Sequence, residues 1–132
     1  MSVKLGFSIG AEVFGYGLVI PHYGTIVVGG KSRIGNYAVI HSSSCIVDRP
    51  SVIGNGLYLS TGSIISSQVE LGDNVTIGAN STVNKSISQS NVLVVGTPAI
   101  VKKESEAWYN RDSEVFRKRV AAIEKLKDSL QL

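Results

Sequence analysis

Cysteine is nearly absent from this chain. Cys45 is the only one among 132 residues, so no internal disulfide forms and the fold holds without covalent staples. A lone thiol fits a reducing compartment, and the chain is expected to be cytoplasmic. Histidine is almost as scarce, with only His22 and His41. Two imidazoles and one thiol, in no ligand spacing of a known type, argue against a zinc site, and no metal is expected. A basic surface is also missing where a nucleic acid would need one. Residues 1–101 carry five Lys/Arg against four Asp/Glu, and residues 102–132 carry eight against six. No basic face interleaved with aromatics precedes residue 102, so nucleic-acid binding is not expected. No apolar run reaches membrane-spanning length, and "MSVKLGFSIG" lacks the apolar stretch of a signal peptide. These exclusions leave a soluble chain, long enough for one domain with its own core.

What the chain does have is a period of six. Aliphatic residues recur at Ile34, Ile40 and Ile46, then after one extra residue at Ile53, Leu59, Ile65, Leu71, Ile77 and Val83. Small or aliphatic residues follow four places later, at Ala38, Ser44, Leu57, Ser63, Val69, Val75, Ser81 and Ile87. Pro50 is the exception, where the register slips. Neither the helix period of 3.6 nor the strand period of 2 gives this pattern. Six residues suit one short strand and one corner, and three such sides close a coil of about eighteen residues. Aliphatics point inward, while Gly, Asn and Asp in "GNY", "GNG", "GDN" and "GAN" supply the left-handed residues that tight corners need. The expected fold is an all-β solenoid over residues 1–103. Residues 104–132 change character: Phe116, Val120, Ile123, Leu126 and Leu130 step by three or four between charges, the mark of an amphipathic helix. That C-terminal helix is expected to cap the last coil, with the joining of subunits as the alternative.

Some motifs are decoys. The Asn-x-Ser/Thr triplets at Asn74, Asn80 and Asn84 fall at solenoid corners. "GGKS" at 29–32 echoes a phosphate-binding loop, but its first glycine would have to be residue 25, which is Thr, and no helix follows. The stretch "LVIPHYGTIVV" at 18–28 is different. It breaks the hexad with His22 between two strand-forming runs, a disruption that a plain structural wall does not need.

The hexapeptide repeat, the "PHYGTIVV" break and the closing "VVGTPAIVKK" together resemble the left-handed β-helix acyltransferases. Within them the resemblance is to serine acetyltransferases and related capsular-polysaccharide O-acetyltransferases, from about Lys4 to Lys103; the lead-in "KLGFSIGAEVFGYGL" resembles the polysaccharide branch. The resemblance implies a left-handed parallel β-helix, here of about five coils. It also implies a homotrimer whose clefts between neighbouring solenoids take acetyl-CoA as co-substrate and a small-molecule acceptor.

Carried over position by position, His22 matches the family's catalytic histidine. A hydroxyl must lose its proton as it attacks a thioester, and imidazole suits that task at neutral pH. Thr61, Gly62, Ser63 and Ala79 match the wall of the CoA channel. Lys85, Lys102 and Lys103 stand where basic residues meet the CoA phosphates, with a solvated surface lysine as the alternative for each. His41 is either an acceptor-contacting residue or a structural corner. Around it the uncharged "HSSS" run, with Tyr23 and Tyr37 near in sequence, suits a sugar. Two departures bear on the acceptor. The serine branch has a histidine before a proline in the next coil, where this chain has Arg49 before Pro50. Its acidic partner of the catalytic histidine falls at Phe7. Arg49 and Asp48 remain candidates for contacting an amino-acid acceptor. The expected activity is acetyl transfer to a sugar hydroxyl, with a serine O-acetyltransferase or a non-catalytic trimeric scaffold as alternatives.

Overall fold

The hexads become short parallel strands stacked coil upon coil. The computed structural model describes residues 7–9, 12–22, 24–112 and 114–130. The first face stacks β1 (Phe7–Ile9), β2 (Ile26–Val28), β5 (Ser44–Ile46), β8 (Ile64–Ile65) and β11 (Thr82–Val83). The second face stacks β3 (Arg33–Ile34), β6 (Val52–Ile53) and β9 (Glu70–Leu71), extended by single bridges at Phe14 and Ile87. The third stacks β4 (Val39–Ile40), β7 (Tyr58–Leu59), β10 (Val75–Ile77) and β12 (Val92–Gly96), with a bridge from Val19 to Val39. All nine hexad aliphatics from Ile34 to Val83 are buried in one continuous core, none more than 6% exposed. Inward side chains come from every rung, so each coil buries the apolar side of its neighbours.

The corners explain the polar residues of the repeat. In the corner between the second and third faces, side-chain oxygens form a ladder along the axis. Asn36 Oδ1 accepts from the Tyr16 N–H at 3.0 Å, Asn55 Oδ1 from Asn36 at 2.8 Å, Asp73 Oδ1 from Asn55 at 2.8 Å and Ser90 Oγ from Asp73 at 3.0 Å. Backbone donors that a tight bend would orphan thereby find partners. The next residue in successive coils is left-handed: Gly17, Tyr37, Gly56, Asn74 and Asn91. A second left-handed column, Ser43, Gly62 and Asn80, runs along the corner between the third and first faces. Two of the three Asn-x-Ser/Thr asparagines, Asn74 and Asn80, are therefore corner residues.

The far end of the solenoid departs from expectation. A cap by the C-terminal helix was expected. Instead the chain reverses after Gly96 and β13 (Ala99–Glu104) pairs antiparallel with β12, closing the last rung of the third face with backbone hydrogen bonds. The helical segment is split into α1 (Trp108–Arg111) and α2 (Glu114–Ser129), and it lies along the outside of the third face. The reason is the outward row Val19, Val39 and Tyr58, which needs cover. Trp108 and Val120 bury against Tyr37 and Val39, with Val19, Tyr58, Tyr109 and Phe116 around them. Trp108 Nε1 donates to the Tyr37 carbonyl at 2.7 Å. Glu124 accepts from the hydroxyls of Tyr37 at 2.8 Å and Tyr16 at 3.1 Å, which holds its carboxyl below the usual range. The apolar stripe of α2 is only partly used, since Ile123 and Leu126 stay exposed, as does Leu130 just beyond its end. Among the described residues no helix is long and apolar enough to cross a membrane.

The corner geometry predicts a contrast between two glycines. Gly56 has φ +73°, and a methyl added there would run into Asn74 Oδ1. Gly56→Ala should cost about 1–3 kcal/mol. At Gly30 an added methyl meets nothing within 4 Å. Gly30→Ala should be neutral or stabilise by up to about 1 kcal/mol. Urea denaturation of both variants checks this, and equal midpoints would contradict the account of the corner.

Candidate active site

The corner from the third face to the first carries the histidines. Bridge Val19↔Val39 spans twenty residues, whereas the next pairing along, Ile26↔Ser44, spans eighteen. The chain between Val19 and Ile26 is therefore two residues longer than its counterpart one coil on. The extra length is taken up in this corner, where Pro21 and His22 are exposed. Register is kept on both sides, so the excursion costs no core contact.

Successive coils place other candidate residues above His22 along the same corner. His41 N–H donates to the Leu59 carbonyl at 3.0 Å, Gly62 N–H to Ser42 at 3.2 Å and Asn80 N–H to Thr61 at 3.0 Å. His22, His41, Thr61–Gly62 and Ala79 thus form one wall. At the ~4.8 Å strand spacing Ala79 stands about 14 Å along the axis from His22. Thr61 and Ala79 are exposed. Ser63 is fully buried, with its hydroxyl donated to the Gly78 carbonyl at 2.8 Å, so that side chain belongs to the corner rather than the surface.

The two imidazoles lie close, with ring centroids 6.4 Å apart. His41 Nε2 is 2.9 Å from the Tyr58 hydroxyl. A cavity of about 290 Å³ opens beside them, lined by Val19, Pro21, Val39, Trp108 and Phe116, with His41, Tyr58 and Asp112 as its polar members. Burial, and then the nearby charge of His22, hold the His41 imidazole below its ordinary value, against the opposing pull of Asp112. Burial and Asp112 push the Tyr58 hydroxyl up, opposed by Arg111. Both groups are therefore neutral near pH 7. What the corner offers is an exposed imidazole, a neutral one beside it and an aromatic-walled cavity. That set suits proton removal from a hydroxyl on a ring-shaped molecule.

Other sequence candidates lie elsewhere. Arg49 and Lys85 are exposed at the next corner, between the first and second faces, away from His22 within one chain. Asp48 is there too, with Oδ1 accepting the Lys31 N–H at 3.0 Å. Lys102 and Lys103 are exposed on β13. Tyr23 lies outside the described residues, and Phe7 is described only as the first residue of β1. Among the described residues no group of three or more His, Cys, Asp or Glu side chains converges as metal ligands would. The sequence reading missed Tyr58, Trp108, Arg111 and Asp112. Tyr58 carried a faint signal, because it precedes the inward Leu59 and so must face outward on the third face.

Comparison with known proteins supplies relatives. The bacterial transferase hexapeptide family (six repeats) matches residues 50–85, and that repeat is the one expected for a left-handed β-helix. A serine acetyltransferase of Synechococcus elongatus is 26% identical over 133 residues, covering 89% of this chain and 54% of that protein. The putative colanic acid biosynthesis acetyltransferase WcaF of Escherichia coli is 29% identical over 98 residues, covering 74% of this chain and 50% of the relative. A serine acetyltransferase solved in complex with CoA superposes with a TM-score of 0.62 at 28% identity, over 74% of this chain and 40% of the other. The chain thus spans about half the length of these two curated relatives.

The histidine pair yields a titration prediction. His41 should titrate below the reference value of about 6.5 by ¹H–¹⁵N NMR, and His22→Ala should raise its midpoint by removing a like charge. Because the folded value is the lower one, the unfolded chain binds more protons just below pH ~6.5, so this group's contribution to stability falls as pH falls through that window. A His41 midpoint above the reference value, or one unmoved in His22→Ala, would contradict the coupling.

Proposed function

Because the chain is a hexapeptide-repeat protein of the bacterial transferase type, we propose that it is an acetyl-CoA-dependent O-acetyltransferase acting on a hydroxyl of a sugar or polysaccharide precursor. One observation carries this reading. The corner lengthened by two residues leaves His22 exposed in line with His41, Thr61–Gly62 and Ala79 of the successive coils, giving a base one end of a long, shallow wall. In this reading His22 takes the acceptor's proton as the oxygen attacks the thioester carbonyl. The C–S bond then breaks, and the proton passes to the departing thiolate. The pantetheine arm of acetyl-CoA lies along Thr61, Gly62 and Ala79, parallel to the stack. That a relative was solved with CoA bound supports the co-substrate.

A sugar fits the corner better than serine does. Taking an ammonium and a carboxylate from water requires a charged partner for each. Asp48 and Arg49 stand at a different corner, and Asp48 already caps a backbone donor. Around His41, whose ring lies 6.4 Å from that of His22, are instead the Tyr58 hydroxyl and the aromatic walls of Trp108 and Phe116, against which a sugar's C–H face packs, and the uncharged Ser42 and Ser43 follow in the same corner. His41 contacts the acceptor. A convex corner encloses nothing by itself, so the proposed active form is a homotrimer in which a neighbour supplies the facing wall. Arg49 and Lys85 then serve the adjacent site, and Lys102 and Lys103 approach the CoA phosphates. A cytoplasmic location goes with the supply of acetyl-CoA.

Three measurements test the reading. CoA should raise the melting temperature, since a ligand bound by the folded state alone stabilises it; an unshifted transition at millimolar CoA favours a non-catalytic scaffold. His22→Ala should lower kcat by about 10²-fold or more with CoA affinity nearly unchanged, and a smaller loss would move the base elsewhere. In competition, a sugar hydroxyl should be acetylated at least about tenfold more efficiently than L-serine. Preferential formation of O-acetylserine would restore Asp48 and Arg49 as an amino-acid clamp.

A further inference from the structure

We propose that Tyr58 is a positioning residue for His41, that it fixes the tautomer of that imidazole, and that the C-terminal helical segment holds Tyr58 in place through Arg111. The division of labour between the histidines follows from this, and it rests on the O-acetyltransferase reading given above.

The geometry forms a chain of contacts from α1 to the corner. Arg111 sits over the Tyr58 ring, with its guanidinium carbon 5.1 Å from the centroid. Its Nη1 donates to Thr76 Oγ1 at 3.0 Å and to Ser105 Oγ at 3.2 Å. Nε and Nη2 donate to the two carboxylate oxygens of Asp112 at 2.6 and 3.0 Å. A planar fork held at this many points has little freedom, and it fixes the ring beneath it. Tyr58 in turn reaches His41 Nε2 at 2.9 Å, with the two rings 5.2 Å apart. Trp108 lies beside Tyr58 as well, at 6.5 Å between centroids.

The direction of that hydrogen bond follows from acidity. With both groups neutral, the phenol is the stronger acid, and a cation over its ring strengthens its O–H as a donor. Tyr58 therefore donates to Nε2, and the proton of His41 sits on Nδ1. Two consequences separate the histidines. The Nε2 lone pair is occupied, so His41 does not compete with His22 for the acceptor's proton. Its Nδ1–H is instead a neutral donor that holds an acceptor oxygen. The charged and titratable groups facing His41 are His22 from the lengthened corner, Tyr58 from β7, and Arg111 with Asp112 from the end of α1.

Tyr58→Phe tests this, because it removes one hydroxyl and keeps the ring under Arg111. A neutral hydrogen bond is worth a factor of about 3–10, so KM for the acceptor should rise by roughly that amount. KM for acetyl-CoA should stay unchanged, and kcat should change less than the acceptor KM. By ¹⁵N NMR the wild-type His41 should be in the Nδ1–H tautomer at neutral pH. Its midpoint should rise in Tyr58→Phe, since a bond that favours the neutral ring is lost. A wild-type Nε2–H tautomer overturns the proposal even if the variant fails to fold, and so does a His41 unmoved in a folded variant. If the wild type transfers acetyl to no hydroxyl, the functional reading fails, while the imidazole resonances still decide the link between Tyr58 and His41.

Discussion

Everything in this molecule depends on the parallel register between coils. Each rung satisfies the backbone of the rung before it, so the spacing along the axis is fixed, and the inward hexad positions from Ile34 to Val83 are all aliphatic. A slip of one residue within a face would turn its inward side chain to solvent. Variation is therefore confined to corners. The extra residue before Ile53 is absorbed in the corner of Arg49 and Pro50, where pairing Arg33↔Val52 spans nineteen residues. The two extra residues around His22 are absorbed in the same way, and the wall is intact on both sides. An exposed imidazole at a corner is what this architecture yields most cheaply.

The helical segment is bound to the same logic. A solenoid with polar outer faces would have no use for it, but the third face turns Val19, Val39 and Tyr58 outward. Covering them brings Trp108, Arg111 and Asp112 beside His41, so the packing that completes the core also builds one wall of the cavity. Fold stability and site geometry are coupled through the Trp108 and Glu124 hydrogen bonds.

Much of this was legible in the residues. The hexad alone specified which side chains are inside, because inward and outward positions alternate with a fixed period set by the coil. The break at His22 was legible as a disturbance of that period. What escaped was everything decided by contacts far apart in sequence. Trp108 meets the Tyr37 carbonyl across seventy-one residues and Glu124 meets Tyr37 across eighty-seven. An amphipathic pattern says that a helix has an apolar side but not which surface it covers. The expected cap failed for a similar reason, since β13 reverses onto β12 and takes the end of the third face that a helix was expected to cover. Corner identity was also hidden: Arg49 and His41 are eight residues apart, yet a whole face separates them.

The central claim is that acyl transfer takes place along the corner that bears His22. Backbone amide NMR of the intact chain titrated with CoA tests it directly. The account predicts that the perturbed amides run along one corner, at His22, Ser42, Thr61–Gly62 and Ala79–Asn80, with the histidine resonances moving together. Perturbations confined to any other corner, or to the cavity beside α2 alone, would contradict it.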